Sequence, residues 1–234
     1  MNISVKIKNL TKSFSISKFD LNRKYKIENI KILDDISYNF KSGTVTGILG
    51  GNGSGKSTLL RLISGIYLPS DGEINVYGQV YPIIGVSAGF QDELSVMDNI
   101  EIQSCLLGIS SSEINKKKDE ILKFSELEDY VDAPVRVLSS GMRNKLGFSI
   151  FTSYEPEILI LDEVFSVGDS RFKEKSFDRL KNLLSKKKVT AIVTSHDNSV
   201  IKKICNSALI LNKSKIKVSG SIDTVLEAYS RIDL

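Results

Sequence analysis

Residues 50–58 read Gly50-Gly51-Asn52-Gly53-Ser54-Gly55-Lys56-Ser57-Thr58, and no other stretch constrains the fold as tightly. The pattern G-x-x-x-x-G-K-[ST] supplies a loop whose backbone N–H groups cradle a polyphosphate. Its context agrees. Residues 44–49 (Thr-Val-Thr-Gly-Ile-Leu) lead in as an apolar run of strand character, and Leu59, Leu62, Ile63 and Ile66 follow at helical spacing. Glycines let the main chain wrap closely around phosphates, and a helix starting at the loop points its positive end at them. Lys56 then reaches the β- and γ-phosphates, and the Ser57 hydroxyl ligates Mg²⁺. The loop predicts a nucleotide site within an α/β chain.

The rest of the chain is read around that loop. Residues 3–14 alternate like a strand, and 15–30 are polar and basic, suited to a hairpin extension or a loop. Strand patterning resumes at 32–40. Short strands are expected at 73–76 and 80–84, after a turn at 69–72. From Asp92 to Tyr154 the pattern turns helical, with Ser110 and Glu113 spaced as a capping box and Leu138-Ser139-Ser140-Gly141-Met142 opening a further helix. This stretch reads as a helical insert. Residues 158–163 then give an apolar strand ending in Asp162 and Glu163. A helix carries Phe172, Phe177, Leu180 and Leu184, and the strand at 189–195 ends beside His196. A helix with Val200, Ile201 and Ile204, a closing hairpin and a last short helix complete the pattern. Strands alternating with helices predict a mostly parallel sheet in an α/β layer architecture.

Composition narrows the class. With 234 residues and 41% hydrophobic residues the chain can build a sizeable core, and a net charge of +4 does not by itself call for nucleic acid. No apolar run approaches the roughly 18 residues that span a bilayer, so a membrane role is expected to run through a partner. Cys105 and Cys205 lie far apart among apolar residues and read as buried free thiols in a reducing compartment. The lysine runs 116–118 and 186–188 read as solvated faces.

Two groups carry chemistry besides the loop. Ligands of open α/β sheets bind beyond the carboxyl ends of the strands. Asp162 there is expected on Mg²⁺, and Glu163 to polarise the attacking water. His196, the sole histidine, also sits at a carboxyl strand end and is a candidate γ-phosphate sensor.

Taken together, loop 50–58, Leu138–Met142 in the place of an LSGGQ motif, strand 158–163 and His196, in this order and spacing, resemble the ATPase subunits of ABC transporters over nearly the whole chain. The resemblance implies a P-loop NTPase (RecA-like) core, an antiparallel β subdomain and an inserted helical subdomain. Residues 1–91 and 155–234 would form the first two and 92–154 the third. It implies a homodimer closing head to tail on ATP and Mg²⁺. In that site Gly50, Gly51, Asn52, Gly53, Ser54, Gly55, Lys56, Ser57 and Thr58 would all border the nucleotide. Phe14 matches the aromatic that stacks on adenine, with Phe19 or Tyr25 as alternatives. Gln91 matches the glutamine that senses the γ-phosphate and stands with Ser57 and Asp162 in the Mg²⁺ set. Ser139 and Gly141 match the donors that reach ATP across the dimer, and Asp169 the D-loop aspartate. Ser140 and Met142 depart from LSGGQ, and Ser166-Val167-Gly168-Asp169 departs from SALD.

The stretches Gly89-Phe90-Gln91, Ser139–Arg143 and 162–175 further resemble the branch that exports capsular polysaccharide, lipid-linked O-antigen or teichoic acid. That branch implies a peripheral position on the cytoplasmic side of the cytoplasmic membrane and two copies of a transmembrane permease that contacts the polysaccharide. With the sequence ending at Leu234, no carbohydrate-binding domain is expected after the cassette, which favours the capsule type or an O-antigen exporter without that domain. Export of a lipid or drug is the alternative. A soluble ABC ATPase acting on ribosomes or DNA fits less well, because there is one such domain and no sustained heptad pattern.

Overall fold

The computed structural model describes residues 2–19, 25–85, 89–164, 168–186, 188–195 and 197–232. Two long strands, β1 (Ile3–Phe19) and β2 (Tyr25–Lys41), pair antiparallel from Ile3↔Lys41 out to Phe19↔Tyr25. The polar stretch after Phe14 is therefore a hairpin extension, the first of the two alternatives. Next come β3 (Val45–Leu49), α1 (Lys56–Ile63), β4 (Asp71–Val76) and β5 (Val80–Ile84). Three helices follow: α2 (Val96–Leu106), α3 (Ser111–Ser125) and α4 (Ser140–Thr152). The chain continues with β6 (Ile158–Asp162), α5 (Ser170–Leu184), β7 (Thr190–Thr194) and α6 (Asn198–Ile204). It finishes with β8 (Ser207–Asn212), β9 (Lys215–Ser221) and α7 (Ile222–Tyr229).

β4 joins the long hairpin in a three-stranded antiparallel sheet of order β2-β1-β4. The second sheet has six strands in the order β5-β6-β7-β3-β8-β9, parallel except for β9. Its inner strands β3 and β7 are buried along their length and mostly apolar because both faces are covered. Period-two alternation divides each strand between two cores. Ile48, Ile158, Ile160, Ile192 and Leu209 face α1 and the three-stranded sheet. Leu49, Leu159, Leu161, Val193 and Ile210 face the helices from α2 onward. The phosphate loop, between β3 and α1, is thus anchored in both cores.

Several local expectations change. Ile66 lies beyond the end of α1 and is 55% exposed, since the helix stops at Ile63 and Gly65 turns the chain with φ +72°. At α3, Ser110 accepts from the Glu113 N–H at 3.4 Å, whereas the full capping box forms at α2, where Ser95 and Asp98 satisfy each other's main-chain N–H groups. Cys205 is buried and desolvation pushes its thiol up to about 12, but Cys105 is exposed on the outer side of α2. Lys117 and Lys186 stay at the surface as expected, where they pair with Glu120 and Glu155.

One buried group costs stability. Ser176 on α5, 5% exposed among Phe172, Leu180 and Leu183, has a hydroxyl without a hydrogen-bond partner among the described residues. Ser176→Ala removes an unsatisfied polar group and improves helix propensity. We expect about 1 kcal/mol of added stability, a rise of about 2–4 °C in the thermal midpoint for a chain of this size. Calorimetric unfolding measures it; a lower midpoint would show that the hydroxyl contributes to packing.

Candidate nucleotide site

The phosphate loop bounds a cleft of about 240 Å³ lined by residues 52–58, Ile32 and Glu163. Its glycines have local reasons. Gly55, at φ +103°, caps α1, and a Cβ there would meet the Leu33 Cδ2 at 2.8 Å; a Cβ on Gly50 would meet the Leu211 carbonyl oxygen at 2.2 Å. Gly53 lines the cleft for a different reason: its φ is +75° and a Cβ would meet nothing within 4 Å, so the left-handed turn alone calls for glycine. No side chain caps α1, so the first-turn N–H groups face the cleft without a side-chain acceptor. Ser54 Oγ is buried and has no hydrogen-bond partner among the described residues. Lys56, 8% exposed, donates to the carbonyls of Gly50 at 2.7 Å and Gly51 at 3.0 Å. Burial lowers its pKa, while the charges of Glu163 and Asp162 favour the protonated form. Free N–H groups, an unpaired hydroxyl and an ammonium held only by carbonyls make a cradle for anionic oxygens.

The carboxylates stand at the end of β6. Asp162 Oδ1 accepts the Thr194 hydroxyl at 2.6 Å, a bond from the neighbouring strand β7 that fixes its rotamer and leaves Oδ2 for another partner. Glu163 leaves the strand with φ +57°, a left-handed conformation costing a non-glycine residue roughly 1–2 kcal/mol, with its N–H on the Thr194 carbonyl at 3.3 Å. That turn brings Glu163 to the cleft, opposite the loop. Among the described residues no three His, Cys, Asp or Glu side chains group into a metal cage. Ser57 lines the cleft and Asp162, at the β6 end next to Glu163, does not; a serine hydroxyl and one carboxylate suit an ion shared with nucleotide phosphates rather than an all-protein cage.

The other expected residues lie apart from this cleft. Phe14, on β1, is half-buried with its ring edge-on to Tyr67 at 5.5 Å and the Lys12 ammonium 4.9 Å from its centroid. The Phe19 and Tyr25 side chains, His196 and residues 165–167 fall outside the described residues. Gln91 is exposed and does not line the cleft, but its N–H donates to the buried Asn99 Oδ1 at 2.7 Å. Ser139 is the N-cap of α4, its hydroxyl accepting from the Met142 N–H at 3.2 Å. A Cβ on Gly141 would meet only the Ser139 Oγ, at 3.9 Å, so nothing in the protomer crowds that position. Asp169 caps α5, and the Phe172 N–H, followed by the Lys145 ammonium at 3.0 Å, holds its carboxyl down at about 2. Arg143 pairs with Asp92 at 2.7 Å rather than projecting as a free positive charge.

Sequence reasoning missed Asn99, Gln103 and Thr194. The first two interrupt the buried face of α2 with amides, beside Val96 and Ile100, where periodicity calls for apolar side chains. Those polar residues at core positions were the available signal.

A phosphate loop after a central parallel strand, with carboxylates at the end of a second strand, defines a P-loop nucleotide-binding cassette. A family model described as ABC transporter matches residues 33–166, and the chain belongs to that family. It is 38% identical over 236 residues to the teichoic acids export ATP-binding protein TagH of Staphylococcus epidermidis, covering 98% of this chain and 89% of the relative. To the O-antigen export system ATP-binding protein RfbB of Klebsiella pneumoniae it is 36% identical over 199 residues, 85% of this chain and 80% of the relative. Solved cassettes share the fold. An ATP-binding subunit of an ABC transporter superposes with a TM-score of 0.77 at 20% identity, over 98% of this chain and 94% of that one. The cassette MJ0796, in a dimeric post-hydrolysis state bound to ADP and Pi, does so with 0.76 at 24% identity, over 93% and 98%.

Proposed function

We propose that this chain is the ATP-hydrolysing subunit of an ABC transporter that exports a cell-surface polysaccharide, working as a homodimer beneath two copies of a membrane permease. The observation that carries the reading is the cleft shared by loop 50–58 and Glu163, in a chain matched over most of its length by export ATP-binding proteins. The 92–154 insert is the helical subdomain in this reading, and the chain sits peripherally on the cytoplasmic face of the membrane. Among the described residues no helix is long and apolar enough to cross a membrane. The permease is then what crosses the membrane and meets most of the polymer.

Within the cleft, the α1 N–H groups and the Lys56 ammonium bind the ATP phosphates, exchanging the loop carbonyls for oxygens of higher charge. Ser57, Asp162 and Gln91 are the residues that would hold Mg²⁺. Mg²⁺ supplies charge neutralisation of the phosphate oxygens when bound. Glu163 orients and polarises the attacking water, His196 touches the γ-phosphate, and Phe14 offers its ring to adenine. Ser139 and Gly141 act on the second copy's nucleotide, with the open space at Gly141 admitting a close approach from outside the protomer. Asp169, ionised throughout the physiological range, stands at the D-loop position. Each contact to the γ-phosphate exists in only one nucleotide state, so binding and hydrolysis shift the dimer between closed and open forms.

Teichoic acid is the second reading of the cargo, favoured by TagH, whose match extends over more of the chain. Deleting the gene tests the class. Loss of surface polysaccharide, restored by the wild-type chain, is the expected result. A normal glycan coat would overturn polysaccharide as cargo while leaving ATP hydrolysis intact.

A further inference from the structure

Helix α2 grips the main chain on both sides of Gln91. Asn99, fully buried, commits its whole amide to the segment just ahead of it. Its Oδ1 accepts the Gln91 N–H at 2.7 Å, and the two hydrogens of its Nδ2 are shared among the carbonyls of Gln91 at 3.0 Å, Leu94 at 3.2 Å and Ser95 at 2.8 Å. One turn further on, Gln103, 6% exposed, donates from Nε2 to the Gly89 carbonyl at 2.7 Å. Gly89 is in the left-handed region at φ +87°, and a Cβ there would approach the Gln103 Nε2 to 3.2 Å. Residues four apart on a helix share a face, so one face of α2 holds Gly89, Gln91 itself and the carbonyls of Leu94 and Ser95. Asp92, the next residue, is ion-paired to Arg143 in the first turns of α4.

We infer that Asn99 and Gln103 are positioning residues for Gln91, fixing its backbone to α2 so that the Gln91 amide reaches the nucleotide from a preset place. Amides suit this task. They satisfy buried main-chain groups of both signs, bring no charge into the core, and leave the Gln91 side chain itself unengaged by the clamp. A hydrophobic residue at either position would pack α2 equally well but would free the loop. The inference rests on the reading of Gln91 as a nucleotide-sensing group.

A double-mutant cycle on the full chain tests it. Gln103→Met keeps the volume and loses the donor. Gln91→Ala removes the group being positioned. Expected for Gln103→Met is a fall in ATPase kcat of about tenfold with ADP affinity within about twofold of wild type, because misplacement costs the oriented step and not the loop contacts. In the Gln91→Ala background the same change should cost less than about twofold, since there is nothing left to position. Equal, multiplicative losses in the two backgrounds would overturn positioning and leave Gln103 a structural residue. An unchanged kcat in Gln91→Ala alone would overturn the underlying reading of Gln91 as well. Should Gln103→Met fold poorly, hydrogen exchange on the wild-type chain decides. The Gln91 N–H should exchange within about tenfold of the α2 amides, and exchange at the rate of an unprotected loop would overturn the clamp.

Discussion

Glu163→Gln is expected to bind ATP with a dissociation constant within a few-fold of wild type and to hydrolyse it at least about 100-fold more slowly. The substitution is nearly isosteric and keeps the hydrogen-bonding reach of the side chain. The left-handed turn at 163 is unaffected, because it depends on the backbone and on the N–H bonded to the Thr194 carbonyl. What is lost is the basic carboxylate facing the loop across the cleft. The loop N–H groups and Lys56 bind phosphates without it, so affinity survives while the polarised water does not. With turnover blocked, the ATP-bound form persists, and gel filtration with ATP should show a stable dimer where the wild-type chain gives a transient one. Hydrolysis at the wild-type rate would remove Glu163 from its proposed role. A large loss of affinity would show instead that its charge serves binding.

The elements around this carboxylate were legible for a simple reason. Buried parallel strands are dominated by apolar residues, broken here only by threonines and a glycine, so 44–49, 158–161 and 189–194 stand out, and a strand that ends in Asp-Glu marks its own carboxyl end. The phosphate loop was equally legible because its chemistry depends on backbone and glycine, which sequence records directly. Less visible was whatever depends on a partner distant in the chain. Thr194 gives no sign in sequence that its hydroxyl orients Asp162 32 residues away. Cys105 and Ile66 have apolar neighbours in sequence, yet helix phase at one and helix termination at the other leave them exposed. The capping box at Ser95 was hidden by Asp98, a residue shorter than the expected Glu that still reaches back.

The amides of α2 teach the same lesson from the other side. A polar residue on a buried helix face is either a defect or a fastening, and only the bond partners decide which. Ser176 has none and is a defect by that measure; Asn99 has four main-chain bonds and fastens the Gln91 segment. Arg143, next to the α4 motif, is likewise given its place by a partner distant in the chain, Asp92. Around this site, then, sequence marks the groups proposed to do chemistry, and the fold shows which groups hold them.

The second large effect concerns the other half of the site. Ser139 accepts the Met142 N–H through its oxygen, which leaves its own hydroxyl proton to donate outward. Ser139→Asp preserves the N-cap, since aspartate caps helices as well as serine does, and it also suits the positive end of α4. Folding stability should therefore stay within about 0.5 kcal/mol of wild type. The same carboxylate would, however, confront the phosphates of the second copy's nucleotide, and unlike a hydroxyl it has no proton to give. Like charges brought together at an interface cost several kcal/mol, so ATP-dependent association should weaken by about 100-fold or more. In the Glu163→Gln background, where the wild-type motif gives a stable dimer, adding Ser139→Asp should return the chain to a monomer that still binds ATP. Gel filtration and equilibrium binding read the two properties separately. A dimer persisting in the double variant would place Ser139 away from the partner's nucleotide, and loss of ATP binding by the monomer would place it on its own.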